Sequence, residues 1–407
     1  MARTIISVDI MKKPTEQPQP QHNRWHPDIP PVATVKPGDD FIIEALDWTG
    51  GQIKNDDNAK DIRDCYLAPC HHLVGPVEVP GAEPGDILVV DILDIGPLKG
   101  NEWGYTGIFK TENGGGFLTD LFPEARKAIW DCKGIYATSR HIPKVRFAAI
   151  THPGLIGCAP SHDLLATWNK RERELIATNP TRVPPLALPP EPEGCLLGSL
   201  KGAAFEKASK EACRTIPPRE HGGNCDIKNL SRGTRMYLPV YVKGAGLSTG
   251  DFHFSQGDGE ITFCGAIEMA GFIDFHVDLI KDGMKKYGLR QPLFQPGPVE
   301  PRYSEFLVFE GLSVDDQGKQ HYLDVTIAYR RACLNAIDYL KKFGYSGEQA
   351  YTILSTAPVE GRVSGVVDIP NACVSLYIPL AIFDFDIRPN SKGPQKMVKG
   401  GDLARAR

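Results

Sequence analysis

The stretch GDFHFSQGDGE, Gly250 to Glu260, gathers three acids and one histidine within eleven residues. In an extended segment Asp251 and His253 stand at i and i+2, so both side chains leave the same face of the strand. A carboxylate and an imidazole then converge. Gly257 and Gly259 flank Asp258 and break the strand, and Glu260 opens the next run, EITFCGAIE, whose far end carries Glu268. Asp, His and Glu around one turn are donors suited to zinc or a similar divalent ion, with a spare carboxylate to handle a proton. The same residues also fit a Gly-Asp-Gly hairpin whose acids cap their own backbone. This stretch alone leaves both open.

A second constellation lies about thirty residues upstream, where PPREHGGNCDIKNL places His221, Asn224 and Asp226 around Gly222 and Gly223. The glycine pair permits close approach of backbone N–H groups to a ligand or oxyanion, and Asn224 can help polarise a carbonyl. The plain alternative is a loop with an Asx turn. In a third segment, CYLAPCHHLVG, His71 and His72 adjoin Cys70. Neighbouring strand residues face opposite ways, so at most one of these histidines can serve a given site. His141 and His152 stand at strand ends, in SRHIP and THPG.

The elements that must position these residues read mostly as strands. DDFIIEALDW, GDILVVDILDI, VRFAAITHPGLIG, RMYLPVYVKGAGL, GEITFCGAIEM and IDFHVDLI are short β-branched runs punctuated by Gly and Pro. This pattern predicts a mainly β (α+β) chain of jelly-roll or β-sandwich and β-barrel-like units rather than a βαβ sheet. No Gly-rich phosphate loop follows any strand. Helix is expected late, as a small C-terminal helical hairpin. Tyr322 to Gly344 carries an apolar face and ends at Gly344, and Ser346 and Gln349 are spaced as a capping box. The proline-rich run from Asn179 to Gly194 reads as an arm or linker. It divides an N-terminal β-rich unit (1–178) from a C-terminal α+β unit (195–390) that carries both motifs, followed by a polar tail (391–407).

A length of 407 residues favours two or more packed units, and a net charge of −4 gives no electrostatic case for nucleic acid or anionic lipid. A small neutral ligand suits this balance better. The N-terminus lacks a signal-peptide core, and no run approaches the ~18 apolar residues of a spanning helix, so a cytoplasmic protein is expected. Ten cysteines occur with no CxxC pair, which points to reduced core thiols rather than a zinc ribbon.

Taken together, the HGGN-D and GD-H…GDGE elements, in this order and at this interval, resemble the core of the acetamidase/formamidase family. The likeness extends through IEALDWTGGQIKNDDNAKDI, NGGGFLTDLFPEA and SRHIPKVRFAAITHPGLIGC to nearly the whole chain, and its length is similar to the formamidase branch. The resemblance implies hydrolysis of a short aliphatic amide, formamide first, a mostly β architecture, and a homo-oligomer built from trimers. The chemistry of the motif residues assigns the roles: Asp226, Asp251 and His253 are the expected ligands of a divalent metal, zinc first, with His221 as a fourth candidate. Glu260 is the expected general base and proton donor, positioned by Asp258. Asn224, the Gly222 and Gly223 amides and His71 are the expected substrate and oxyanion contacts. Two other readings stand beside this one: Cys225 as a nucleophile activated by His221, and a non-catalytic β protein that binds a metal or small ligand through the same residues.

Overall fold

Alternation along the strand Gly271–Ile280 sets the pattern of the fold: Ile273, Phe275 and Val277 are buried, while Phe272, Asp274 and His276 between them are partly exposed. In the computed structural model, which describes residues 2–178 and 191–407, this strand sits inside a six-stranded sheet. The order is Arg3–Ile6, Asp40–Ala45, Gly271–Ile280, Ile87–Pro97, Arg235–Pro239 and Leu293–Gln295. A twelve-stranded sheet holds the two motifs. Its central strands run Trp103–Ile108, Phe263–Met269, Leu247–His253, His152–Gly157 and Gly222–Asn224, all antiparallel.

One hydrophobic core joins the two sheets, with Phe41, Val90, Phe275 and Val277 from the first meeting Val77, Ile156, Phe252 and Ile267 from the second. The other face of the large sheet is covered as well, by a cluster that includes Trp48, Ile62, Tyr105 and Phe109. The fold is therefore mainly β, as the strand-rich pattern predicts. Strands from both sides of the Asn179–Gly194 segment interleave in each sheet, so the expected N- and C-terminal units share both sheets. Residues 179–190 of the proline-rich arm lie outside the described residues.

The expected late helices form at Val325–Lys341 and Gly347–Thr356. Asp324 caps the first by accepting from the Ile327 N–H, and Ser346 with Gln349 closes a full capping box on the second. The first helix packs its alanines against Gly311 of a three-stranded sheet, where a side chain in place of Gly311 would meet the Ala328 carbonyl oxygen. Helix is not confined to the C-terminal part. His162–Thr178 forms a seventeen-residue helix that the sequence reading passed over, because only Leu165 and Trp168 on it are buried and the rest of its surface is charged. A shorter helix spans Gly202–Ala208.

The caps give a direct test of the helical hairpin. Asp324→Ala and Ser346→Ala should each lower unfolding stability by about 1 kcal/mol in denaturant titration. No change in either variant would contradict the capping geometry.

Candidate active site

The strand register builds the site. His152, His253 and Glu268 lie directly opposite one another across three neighbouring strands, so their side chains form one row on one face of the large sheet. Phe252, between Asp251 and His253, points the other way into the shared core. Asp251 and His253 thus meet as the i, i+2 spacing requires, with Asp251 Oδ1 3.2 Å from His253 Nε2. Glu268 Oε2 lies 3.1 Å from the same nitrogen. Asp251, His253 and Glu268 are all buried and form the floor.

Above this floor stand Asp226 and Glu260, which reach His253 from the HGGNCD and GDGE turns. The Cys225 and Asp226 N–H groups donate to the Gly154 carbonyl, which ties the first turn to the central strand. Asp226, Asp251 and Glu260 all adopt left-handed backbone conformations, with φ of 49°, 55° and 47°. Among the described residues only eight non-glycine residues do so, and three of them are these acids. Such conformations persist where the surrounding structure holds them, and they cluster at functional sites.

Gly154 makes room for the cluster. A Cβ there would lie 2.6 Å from Asp251 Oδ2, 2.7 Å from His253 Cε1 and 2.8 Å from Asp226 Oδ1. A side chain larger than glycine has no room beneath these three buried side chains.

The electrostatics follow from burying four carboxyl groups beside one imidazole. Burial, then the Asp251 charge, pushes Asp226 up to about 7. Burial is also the first cause for Glu268, raised to about 7, and for Glu260, raised well above its ordinary value with Asp226 as the next cause. Burial would raise Asp251, but His253, together with His71 and Glu268, outweighs that and holds it below the usual range. His253 moves the other way. Its burial favours the neutral ring, but Glu268 and Asp251 outweigh it and hold the pKa well above normal. Positive charge is what this cluster lacks.

A cation fits these donors. Asp226 Oδ1 is buried with no hydrogen-bond partner, and Glu268 Oε2 is buried with only the His253 ring against it. Donor atoms of Asp226, His253 and Glu260, and of Asp251, His253 and Glu268, lie within 4.8 Å of one another. Carboxylates with one imidazole are a donor set for zinc or a similar divalent ion.

A cavity of about 370 Å³ opens over the cluster, lined by Asp251, Glu260, Glu268, His71 and Asn224 on its polar side and by Trp48 and Phe263 among its apolar walls. Burial lowers the His71 pKa to about 4, so the ring is neutral. Thr215 Oγ1 accepts from the His71 backbone N–H and lies 3.1 Å from Nδ1. A Thr215 hydroxyl proton donated to Nδ1 would put the ring proton on Nε2. His72 faces a different pocket, in keeping with the one-of-two rule. Asn224 Oδ1 is buried and unpartnered.

Several expected site residues lie elsewhere. His221 packs between Trp25, edge-on, and Trp168, tilted, with ring centroids at 4.4 and 4.6 Å, and burial holds it neutral. Gly222 and Gly223 pair with Gly157 and Ile156 in the sheet and do not line the cavity. A Cβ at Gly222 would meet the Ile156 carbonyl oxygen, so close strand packing accounts for it. Asp258 binds Lys228 and the Gly361 N–H, anchoring the GDGE turn to the C-terminal sheet. Cys225 does not line the cavity, and its thiol is pushed up to about 12 by burial. Glu268, Gly154, His152 and Gln256 carry the geometry but stand outside the expected set. The signal for Glu268 was its place eight residues after Glu260 on the next strand, and register alone brings it opposite His253.

The chain is similar to known proteins along nearly its whole length. The acetamidase/formamidase family model matches residues 7–385. A formamidase of Methylophilus methylotrophus is 65% identical over 399 residues, 98% of each chain. An acetamidase of Mycolicibacterium smegmatis is 61% identical over 370 residues, 89% of this chain and 91% of its own. Among solved structures, a gamma lactamase from Delftia acidovorans matches with a TM-score of 0.98 at 61% identity, covering 100% of both chains.

The Gly154 contacts yield a sharp prediction. The backbone there accepts any residue, so Gly154→Ala should fold with an unchanged circular dichroism spectrum. Amide-hydrolysing activity should fall by roughly 10²-fold, the scale of a 1 Å misplacement. Activity within a factor of three of the parent would contradict the crowding at this point.

Proposed function

Because the chain belongs to the acetamidase/formamidase family of amidohydrolases, we propose that it hydrolyses formamide, and other short aliphatic amides, to ammonia and the carboxylate. One observation carries the reading: Asp251, Glu260, Glu268, His71 and Asn224 face a single cavity. Its 65% identity to a formamidase supports formamide as the first substrate to test.

In this account the amide lies in the cavity with its oxygen toward His71 Nε2–H and the Asn224 carboxamide, which donate hydrogen bonds as negative charge develops there. Glu260 takes a proton from the attacking water and passes it to the departing nitrogen. The water oxygen bonds to the carbonyl carbon, the C–N bond breaks, and nitrogen leaves as ammonia. A proton affinity raised by burial and by Asp226 suits Glu260 to the second transfer. Asp226, Asp251 and His253, with Glu268 beneath them, would hold a divalent cation, zinc first. When bound it supplies Lewis-acid activation of water and carbonyl. The apolar walls Trp48 and Phe263 exclude bulk water from this polar floor.

A second reading concerns substrate size. The cavity, about 370 Å³, is far roomier than a one-carbon amide needs, and the matching Delftia structure is a gamma lactamase. Cyclic amides are therefore the next substrates to try. A homo-oligomer built from trimers and a cytoplasmic setting belong to the same proposal. No helix among the described residues is long and apolar enough to cross a membrane, and the ten cysteines are all free thiols.

Ammonia release from formamide tests the proposal: it should be lost on chelation and return with zinc. No release under any metal condition would favour the non-catalytic binding protein. Glu260→Gln should lower kcat by roughly 10²- to 10⁴-fold. Cys225→Ala should keep parental activity, and its loss with cation still bound would revive the thiol route.

A further inference from the structure

Gln256 is buried in the turn between the two halves of GDFHFSQGDGE, and its carboxamide touches two of the proposed cation donors at once. Its Nε2 donates to the Asp226 backbone carbonyl, at 2.6 Å. Its Oε1 lies 2.9 Å from His253 Nδ1. The amide orientation follows from these partners: a carbonyl can only accept, so the NH₂ group faces Asp226 and the oxygen faces His253.

The neighbouring His152 lies against the same pair. Its Nδ1 lies 2.7 Å from the Ile150 carbonyl, which can only accept, so that nitrogen carries a proton. Its Nε2 lies 3.0 Å from Gln256 Oε1 and 3.2 Å from His253 Nδ1. The Gln256 oxygen can only accept. His253 Nδ1, 2.9 Å from it, must therefore carry a proton. The opposite nitrogen, Nε2, is then the one turned to Asp251 and Glu268. Outer partners of this kind fix a histidine ligand's tautomer and ring orientation.

The other end of Gln256 acts on backbone. Asp226 holds φ of 49°, a conformation an aspartate adopts at some cost, and the Gln256 amide is bonded to that residue's own carbonyl. The turn bearing Gln256 is itself fixed, because the Gly257 N–H donates to the Ser355 carbonyl and a Cβ at Gly257 would collide with the Leu354 carbonyl oxygen.

We propose that Gln256 is a positioning residue that couples the two motifs, fixing the His253 tautomer with its oxygen and the Asp226 turn with its nitrogen, so that both present donors to one divalent cation. The proposal rests on the cation reading given above.

The test measures zinc affinity of the metal-stripped full-length protein by competition with a chromogenic chelator, beside kcat, KM and thermal stability. Gln256→Leu should weaken zinc binding about 10- to 100-fold and lower kcat, with KM changed less than threefold. Gln256→Glu keeps an acceptor for the His253 N–H but loses the donor to Asp226, and should recover part of the affinity. A purely structural role would lower the melting temperature and leave zinc affinity unchanged in the folded protein. Parental zinc affinity in both variants would overturn the proposal while leaving the cation reading intact. A parent protein that binds no zinc would overturn both. Should Gln256→Leu fail to fold, Gln256→Glu decides alone: full parental affinity contradicts the Asp226 half, and an intermediate value supports it.

Discussion

Four carboxyl groups and one imidazole share a small volume largely out of bulk water, and the mutual repulsion of those acids is the constraint on which the rest of the site depends. Removing a single ion from water costs several kcal/mol even after relaxation. Four carboxylates at one place are tolerable only if protons or a cation supply positive charge. The pKa values that rise, at Asp226, Glu260 and Glu268, express that demand. His253 meets part of it, lying within 3.2 Å of both Asp251 and Glu268.

The fold is arranged to hold this unfavourable cluster in place. Strand register sets His152, His253 and Glu268 in a row. The missing side chain at Gly154 gives the donors room, and left-handed backbone at three acids aims them inward. The C-terminal helices serve the site from behind. The Gly257 and Asp258 N–H groups donate to the Ser355 and Val359 carbonyls, so the end of the second helix and its following loop pin the GDGE turn. Tyr329 of the first helix binds the Asp258 carbonyl from the other side. The helical hairpin therefore anchors the candidate site as well as packing against the sheets.

Much of this was legible in the sequence, for identifiable reasons. Period-two alternation predicted the strands and placed Asp251 and His253 together, since that contact is local. The capping box at Ser346 and the stop at Gly344 predicted the hairpin, because helix ends are written in a few adjacent residues. Local pattern does not record how strands align. Glu268 reaches His253 only through cross-strand register, and Gly154 is recognisable only once two other segments converge on it. The same limit explains His221, Gly222 and Gly223. Their motif looked like donors around a ligand, yet His221 packs between two tryptophans and the glycines serve close strand pairing. The helix His162–Thr178 was missed because only two of its residues are buried.

On the proposed reading a divalent cation, not protons alone, balances the buried acids. Crystals grown with zinc, with diffraction recorded above and below the zinc absorption edge, test it most directly. The account predicts one strong anomalous peak among Asp226, Asp251, His253 and Glu268, lost in crystals of His253→Ala. Zinc-replete crystals of the active protein with no anomalous density there, and with the four acids in the positions described, would contradict it.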